Sequence, residues 1–102
     1  MTAPAANDIE GPFSLGQNIW PGVAKLMEEC GEVIQVCAKL IATGGATAHW
    51  SGRDLRADLE HELGDLQAAQ TFVIEHNPQL RRAEIDWQTN AKRNLFRQWH
   101  DA

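Results

Sequence analysis

The sequence predicts an all-α protein, with three long helices per chain in one layer that oligomerisation completes as a helical bundle. Apolar residues recur at spacings of three and four through three long segments, the period of an amphipathic helix. Glycine or proline separates these segments, and no stretch shows the alternation of a half-buried strand. Three helices in one layer bury little apolar surface, so we expect copies of the chain to associate with one another.

The first helix is predicted over residues 21–43. Pro21 suits a first helical turn, and Gly44-Gly45 suits the left-handed C-terminal position. The two cysteines lie seven residues apart, too far along one helix for a disulfide between them. Because both fall on the apolar stripe, we expect buried, reduced thiols. The stripe consists of Val23, Leu26, Met27, Cys30, Val33, Ile34, Cys37, Leu40 and Ile41.

The second and third helices follow a loop over residues 46–52. The second is predicted from Arg53 or Asp54 to His76, and an acidic residue at its start suits the helix dipole. The third is predicted from Pro78 to about Trp99, with Asn77 as its N-cap.

Length and charge narrow the class of protein. A chain of 102 residues predicts one domain, over 13–102, after a flexible tail over 1–12. The net charge of −5 disfavours nucleic-acid binding through a general basic surface. No apolar run approaches a membrane span and no targeting signal is visible, so we expect a cytoplasmic protein with no membrane partner.

Carboxylates cluster on the first two helices. Glu28, Glu29 and Glu32 lie within one helical turn and a half, and Glu62 and Asp65 are three residues apart on the next helix. Antiparallel packing would bring both groups together, and their repulsion would require a cation. An all-oxygen set suits Mg²⁺ or Mn²⁺. A solvated acidic face is the alternative, but a helix-interior glycine adjoins each cluster, which predicts close helix approach there.

These two clusters resemble the paired motifs of a known family. Glu28-Glu29-Cys30-Gly31-Glu32 is similar to the EExxE motif, and Glu62-Leu63-Gly64-Asp65 to the ExxD motif, of the MazG-like all-α nucleoside triphosphate pyrophosphohydrolases. The intervening segment, 33–61, is long for that family. The resemblance implies that Glu29, Glu32, Glu62 and Asp65 bind Mg²⁺, with Mn²⁺ as a substitute. It implies that Glu28 either supports these ligands without binding the ion or orients the attacking water.

The same resemblance implies the reaction. A metal-activated water attacks the α-phosphorus of a nucleoside triphosphate, giving a nucleoside monophosphate and pyrophosphate. Asn94 and Arg97 match a late NxxR segment that contacts the nucleotide. The family's preceding lysine is replaced by Asn90, and Lys92 and Arg93 are the nearby cations that could contact phosphate instead. The family also implies a homodimer or homotetramer.

Other substrate contacts are predicted from residue type. Trp20, His49 and Trp50 are candidates for stacking on a base, with local packing at the helix entry or in the loop as the alternative. Lys39 is a candidate phosphate contact, with an ion pair as the alternative. We expect Trp87 and Trp99 to lie in the core or an interface.

Two other classes compete with the enzyme. A di-iron carboxylate bundle requires Glu-x-x-His on two helices. The chain offers only Asp58-Leu59-Glu60-His61, on one helix, which disfavours that class. A catalytically degenerate helical module of the same fold that binds a partner protein stays open.

Overall fold

The computed structural model describes residues 20–102 and contains three helices over that range. They are α1 (Val23–Ala42), α2 (Leu55–His76) and α3 (Arg82–Asp101). Within 20–102 there is no strand, only one isolated bridge between Ala48 and Asp54. The all-α prediction is therefore confirmed. The predicted tail over 1–12 and the segment 13–19 lie outside the described residues.

Glycines bound α1 at both ends. Gly22 precedes the helix with φ of 89°, and a Cβ there would lie 2.6 Å from Phe72 Cδ1, so no larger residue fits. The helix begins two residues after Pro21, which lies in the preceding turn. At the other end the Gly45 N–H donates to the Leu40 carbonyl at 2.8 Å. This bond closes the helix at the predicted glycine pair.

The loop before α2 folds back on itself and positions the helix start. The His49 N–H donates to the Arg53 carbonyl at 3.1 Å, and the Leu55 N–H donates to the Thr47 carbonyl at 2.8 Å. Asp54 caps α2 by accepting from the Arg56 N–H at 3.1 Å. The loop thereby carries the Leu55 side chain into the core, where it is fully buried.

The junction between α2 and α3 differs from the prediction. Asn77 is buried, and its Nδ2 donates to the carbonyls of Val73 at 2.7 Å and Pro21 at 2.9 Å. The side chain therefore closes α2 and ties its end to the start of α1, so its predicted role as the N-cap of α3 is wrong. Pro78 lies in a turn, and α3 begins at Arg82 instead.

The antiparallel pair of α1 and α2 forms the packed unit. α3 has no buried residue and packs against neither of the other helices to a comparable extent. The radius of gyration is 17.1 Å, against roughly 13 Å for a compact domain of this size, and the shortest dimension is 15 Å. The described chain is therefore one helix layer thick.

The core within residues 20–102 is small and lies between α1 and α2. Its buried apolar side chains are Val36, Leu55, Ala69 and Val73. Two sequence expectations are wrong in the single chain. Cys30 and Cys37 are exposed, because the stripe they share points away from α2. A side chain added at Gly31 or Gly64 would meet open space, so the predicted close approach of two helices at these glycines is not found within this chain.

None of the three helices combines the length and the apolar character that a membrane span requires.

Candidate metal centre

Four carboxylates from α1 and α2 converge in the groove between the helices. Glu29 and Glu32 on α1, with Glu62 and Asp65 on α2, each offer one oxygen, and these oxygens lie within 4.8 Å of one another. The spacing of three residues puts each pair on one helix face, and antiparallel packing brings the two faces together. The structure therefore assembles the four residues that the sequence motifs select.

Two oxygens in this cluster are buried without a hydrogen-bond donor. Glu29 is only 8% exposed, and its Oε2 has no partner; the same holds for Oε2 of Glu62. A buried carboxylate oxygen without a donor carries a desolvation cost, which a cation would offset. This orphaned pair distinguishes the cluster from a solvated acidic face.

The pKa values of the clustered carboxylates also indicate a site that a cation would stabilise. Burial raises the pKa of Glu29 above its ordinary value of about 4.5, and the charges of Glu32 and Asp65 raise it further, while Lys25 opposes them. The pKa of Glu62 is also raised, first because Glu32 approaches it closely enough to share a proton and then because of burial. Without a cation, the folded chain therefore holds these carboxylates at an electrostatic cost.

Basic side chains border the cluster without entering it. Lys25 Nζ lies 3.3 Å from Glu28 Oε2 and 4.0 Å from Glu29 Oε1. Glu28 itself is exposed and stands outside the four-carboxylate group. His61 Nε2 lies 3.4 Å from Asp65 Oδ2 and forms a second, more exposed trio with Glu62 and Asp65.

A largely apolar pocket opens on one side of the carboxylates. It has a volume of about 390 Å³ and includes Glu29 and Asp65 in its wall. Its other walls come from Gly22, Lys25 and the side chains of Ala68, Ala69 and Phe72. The Phe72 ring stacks on His76 with centroids 3.9 Å apart, which fixes the ring beside the pocket. The apolar, aromatic part of a ligand would fit against such a wall.

A second, more polar pocket opens on the other side. It has a volume of about 290 Å³ and includes Glu32 and Glu62 in its wall. Lys39, Arg53 and Asp58 also line it. Two of the four carboxylates therefore line an apolar pocket, and the other two line a pocket that carries two cations.

Arg53 is the residue of this site that the sequence did not single out. Its Nε and Nη2 donate to Oδ2 and Oδ1 of Asp58 at 2.7 and 2.6 Å, a two-point contact that fixes the guanidinium. The Arg53 guanidinium lowers the pKa of Asp58 below its ordinary value. The signal in the sequence was an arginine just before the N-cap Asp54, five residues from an aspartate on the first turn.

The remaining predicted substrate contacts lie elsewhere, with one exception. Lys39, the candidate phosphate contact, lines the polar pocket. Trp20 and Trp50 are exposed, and the half-buried His49 places its Nδ1 2.7 Å from Ser51 Oγ. None of these three lines either pocket beside the carboxylates.

The basic segment of α3 also lies outside the groove. Asn94, Lys92 and Arg97 are exposed, and neither pocket beside the carboxylates includes a residue of α3. Lys92 Nζ instead lies 5.9 Å from the centroid of the Phe96 ring. Trp87 and Trp99, predicted for a core or an interface, are exposed in the single chain.

No family model, no curated protein and no solved structure matches this chain.

Proposed function

We propose that this protein is a Mg²⁺-dependent nucleoside triphosphate pyrophosphohydrolase, which converts a (deoxy)nucleoside triphosphate to the monophosphate and pyrophosphate. The observation that carries the proposal is the pair of buried, unpartnered oxygens of Glu29 and Glu62 inside a four-carboxylate cluster. The similarity of the two acidic segments to the EExxE and ExxD motifs supports the same reaction.

The donor set fits the proposed ion. All four ligands are carboxylates, and an all-oxygen set favours Mg²⁺, or Mn²⁺ as a substitute, over softer metals. Mg²⁺ held there supplies charge neutralisation to phosphate oxygens and lowers the pKa of a bound water. Glu29 and Glu32 would hold the ion from α1, and Glu62 and Asp65 from α2.

The two pockets give the substrate a direction along the groove. The nucleoside fits the apolar pocket against Phe72, and the leaving pyrophosphate fits the polar pocket beside Lys39 and Arg53. This placement puts the α-phosphorus at the carboxylates, where water forms the new P–O bond and pyrophosphate departs with the bridging oxygen. Glu28, at the edge of the cluster, is the proposed water-orienting residue.

Catalysis in this proposal comes from positioning and electrostatics. No protein nucleophile is required. Asn94, Lys92 and Arg97 lie outside both pockets, so the proposal does not depend on them. We also propose that the enzyme is a homodimer or homotetramer that acts without nucleic-acid or membrane partners.

Pyrophosphate release from a panel of ribonucleoside and deoxyribonucleoside triphosphates, with Mg²⁺ and with Mn²⁺, tests the proposal. The full chain should turn over at least one of them, and Asp65→Asn should remove turnover while circular dichroism shows unchanged helicity. Glu60→Gln is the matched control, because it removes one charge from an exposed position of α2 outside both pockets.

Absence of turnover with every nucleotide and both metals would refute the proposed enzymatic activity. Stabilisation of that inactive chain by Mg²⁺ would then favour the catalytically degenerate binding module, whose metal site survives. The same panel identifies the preferred base and sugar.

A further inference from the structure

A second group of candidate metal ligands adjoins the four carboxylates on α2. His61 Nε2 lies 3.4 Å from Asp65 Oδ2, and one ligand atom from each of His61, Glu62 and Asp65 lies within 4.8 Å of the others. Glu62 and Asp65 belong to both groups, whereas His61 belongs to this one alone. The group of His61, Glu62 and Asp65, here named the histidine trio, therefore combines a ring nitrogen with two carboxylates of the four-carboxylate cluster.

The spacing along α2 turns the three side chains toward one another. His61 and Asp65 are four residues apart and Glu62 and Asp65 are three apart, so Asp65 shares a helix face with each of the other two. Helical histidines that bind one zinc ion in metalloproteases are also four residues apart. The His61 side chain is 75% exposed, so an ion reaches its ring directly from solvent.

We propose that the histidine trio binds a divalent transition metal, with Zn²⁺ as the fitting ion, and that this ion competes with Mg²⁺ for Glu62 and Asp65. The proposal goes beyond the proposed enzymatic activity, because zinc binding requires no turnover.

The distance between His61 and Asp65 fits two ligands of one ion better than a direct ion pair. A charge-assisted hydrogen bond from nitrogen to a carboxylate is ordinarily about 2.7–2.9 Å long, which is shorter than the 3.4 Å between Nε2 and Oδ2. Two ligands that each lie about 2.0–2.1 Å from a tetrahedral zinc ion are about 3.4 Å apart. The two side chains therefore already have the separation that a shared zinc ion requires.

A buried oxygen in the trio independently indicates a cation. Glu62 Oε2 is buried and has no hydrogen-bond donor, so the neighbouring His61 ring does not satisfy it. Glu29, which is 8% exposed, directs a second such oxygen, its Oε2, into the adjoining cluster. A divalent ion held by the trio would offset the desolvation cost at Glu62.

The ligand types decide which ion the trio prefers. Imidazole nitrogen suits zinc and other transition metals, whereas Mg²⁺ prefers oxygen ligands. Three protein ligands with a fourth position for water are typical of accessible zinc sites. Zn²⁺ in the trio would use two of the four carboxylates proposed to hold Mg²⁺, and its charge would repel a second cation nearby. Competition between the two ions follows.

Zinc titration of the full chain, followed through the histidine ring signals in NMR spectra, tests the proposal. The chain has only four histidines, so substitution assigns each ring. One equivalent of Zn²⁺ should shift the Nε2 signal of His61 as expected for a metal-bound nitrogen and leave the other three rings unchanged. Mg²⁺ alone should not produce that shift.

His61→Asn should weaken zinc binding at least about tenfold in calorimetry, because it removes one of three ligands. Its helicity should be unchanged, since His61 is exposed. His100→Asn is the matched control, because His100 is also exposed but lies on α3 outside both ligand groups. Equal zinc affinity of the wild type and His61→Asn, or an unshifted His61 ring, would overturn the zinc site.

Thermal unfolding measures the competition. At a zinc concentration that fills the trio, the stabilisation added by Mg²⁺ should shrink in the wild type and persist in His61→Asn. An undiminished Mg²⁺ gain in the zinc-loaded wild type would overturn the competition. If Mg²⁺ stabilises neither protein, the proposed magnesium site fails, while the NMR titration still decides whether His61 binds zinc.

Discussion

The layer formed by α1 and α2 has two unlike faces, and each carries a cost in the single chain. On the carboxylate face, which holds the four-carboxylate cluster, Glu29 and Glu62 have buried oxygens without donors. On the apolar face, Met27, Ile34 and Ile41 of α1 remain in water. A cation would relieve the first cost, and contact with another apolar surface would relieve the second.

This difference has a simple origin in helical geometry. Residues three and four apart share a face, while a shift of one residue moves a side chain by about 100°. Glu29 and Cys30 therefore point in different directions although they are neighbours, as do Glu62 and Leu63. The two faces can then be altered one at a time, which the following variants exploit.

The largest expected effect comes from a residue that lies beneath both faces. Leu55 is fully buried at the start of α2, so Leu55→Ala should destabilise the chain by about 3 kcal/mol. Urea unfolding measures the loss. Gln67→Ala, at an exposed position of α2, should change stability by less than about 0.5 kcal/mol. Equal effects of the two substitutions would contradict the assignment of Leu55 to the core.

A substitution on the carboxylate face should remove the stabilisation that the metal provides. With Mg²⁺ at a hundred times its dissociation constant, the wild type should gain about 2.7 kcal/mol over the metal-free chain. Glu29→Gln should lose nearly all of that gain, because it removes a ligand. Thermal unfolding with Mg²⁺ and with a chelator measures the difference.

Glu28→Gln is the control for that substitution. Glu28 is exposed and outside the cluster, so its variant should keep the Mg²⁺ gain. Loss of the gain in both variants would show that general negative charge, rather than the cluster, attracts the ion.

A third variant tests the polar pocket. Arg53→Gln should raise KM for the nucleotide about tenfold, the loss expected for one charge-assisted contact to phosphate. Arg56→Gln is the control, because Arg56 is exposed, pairs with Glu60 and lines neither pocket. Steady-state kinetics with the preferred triphosphate separates the two. A KM that changes equally in both variants would place the phosphates outside the Lys39–Arg53 pocket.

The pH dependence of the metal-free chain should show the cost of the carboxylate face. Burial and neighbouring charges raise the pKa of Glu29 in the folded state, so the fold binds its proton more tightly than the unfolded chain does. The stability that this proton contributes is fully present below about pH 4.5 and is lost as pH rises through the folded pKa.

Urea unfolding in a chelator from pH 4.5 to pH 7.5 measures this effect against Glu29→Gln. The wild type should lose stability relative to the variant as pH rises. Parallel curves for the two proteins would show that Glu29 does not titrate at a raised pKa.

The smallest expected effect distinguishes two glycines. Gly64 lies inside α2 and faces open space in the single chain, so Gly64→Ala should stabilise it by about 0.5–1 kcal/mol. Gly22→Ala should destabilise it, because Gly22 has φ of 89° and lies against Phe72. Urea unfolding measures both. Destabilisation by Gly64→Ala would indicate that another surface packs on that position.

The sequence predicted best those features that depend on a single helix. The period of the apolar residues located all three helices, and the glycine pair at 44–45 located the end of α1. The start of α3 was misplaced because Asn77 reaches across to the Pro21 carbonyl, a partner 56 residues away. Local sequence contains no information on such a contact.

The candidate site, like the fold, was predictable from sequence only where the relation between residues is local. Spacing alone placed Glu29 with Glu32, and Glu62 with Asp65, on shared helix faces. It did not reveal Arg53, whose position depends on a loop folded back between Thr47 and Leu55. Nor did it show which side of α1 would meet α2, so the two cysteines were expected inside and lie outside.

The sequence by itself therefore determined three helices and two carboxylate pairs, because helical period and spacing are local properties. Only the tertiary structure decided that the pairs converge within 4.8 Å, that Glu29 is buried there, and that the thiol stripe is left uncovered. Those facts depend on the rotation of α1 against α2. The junctions that hold Gly22 against Phe72 and Asn77 against Pro21 fix that packing through contacts distant in the chain.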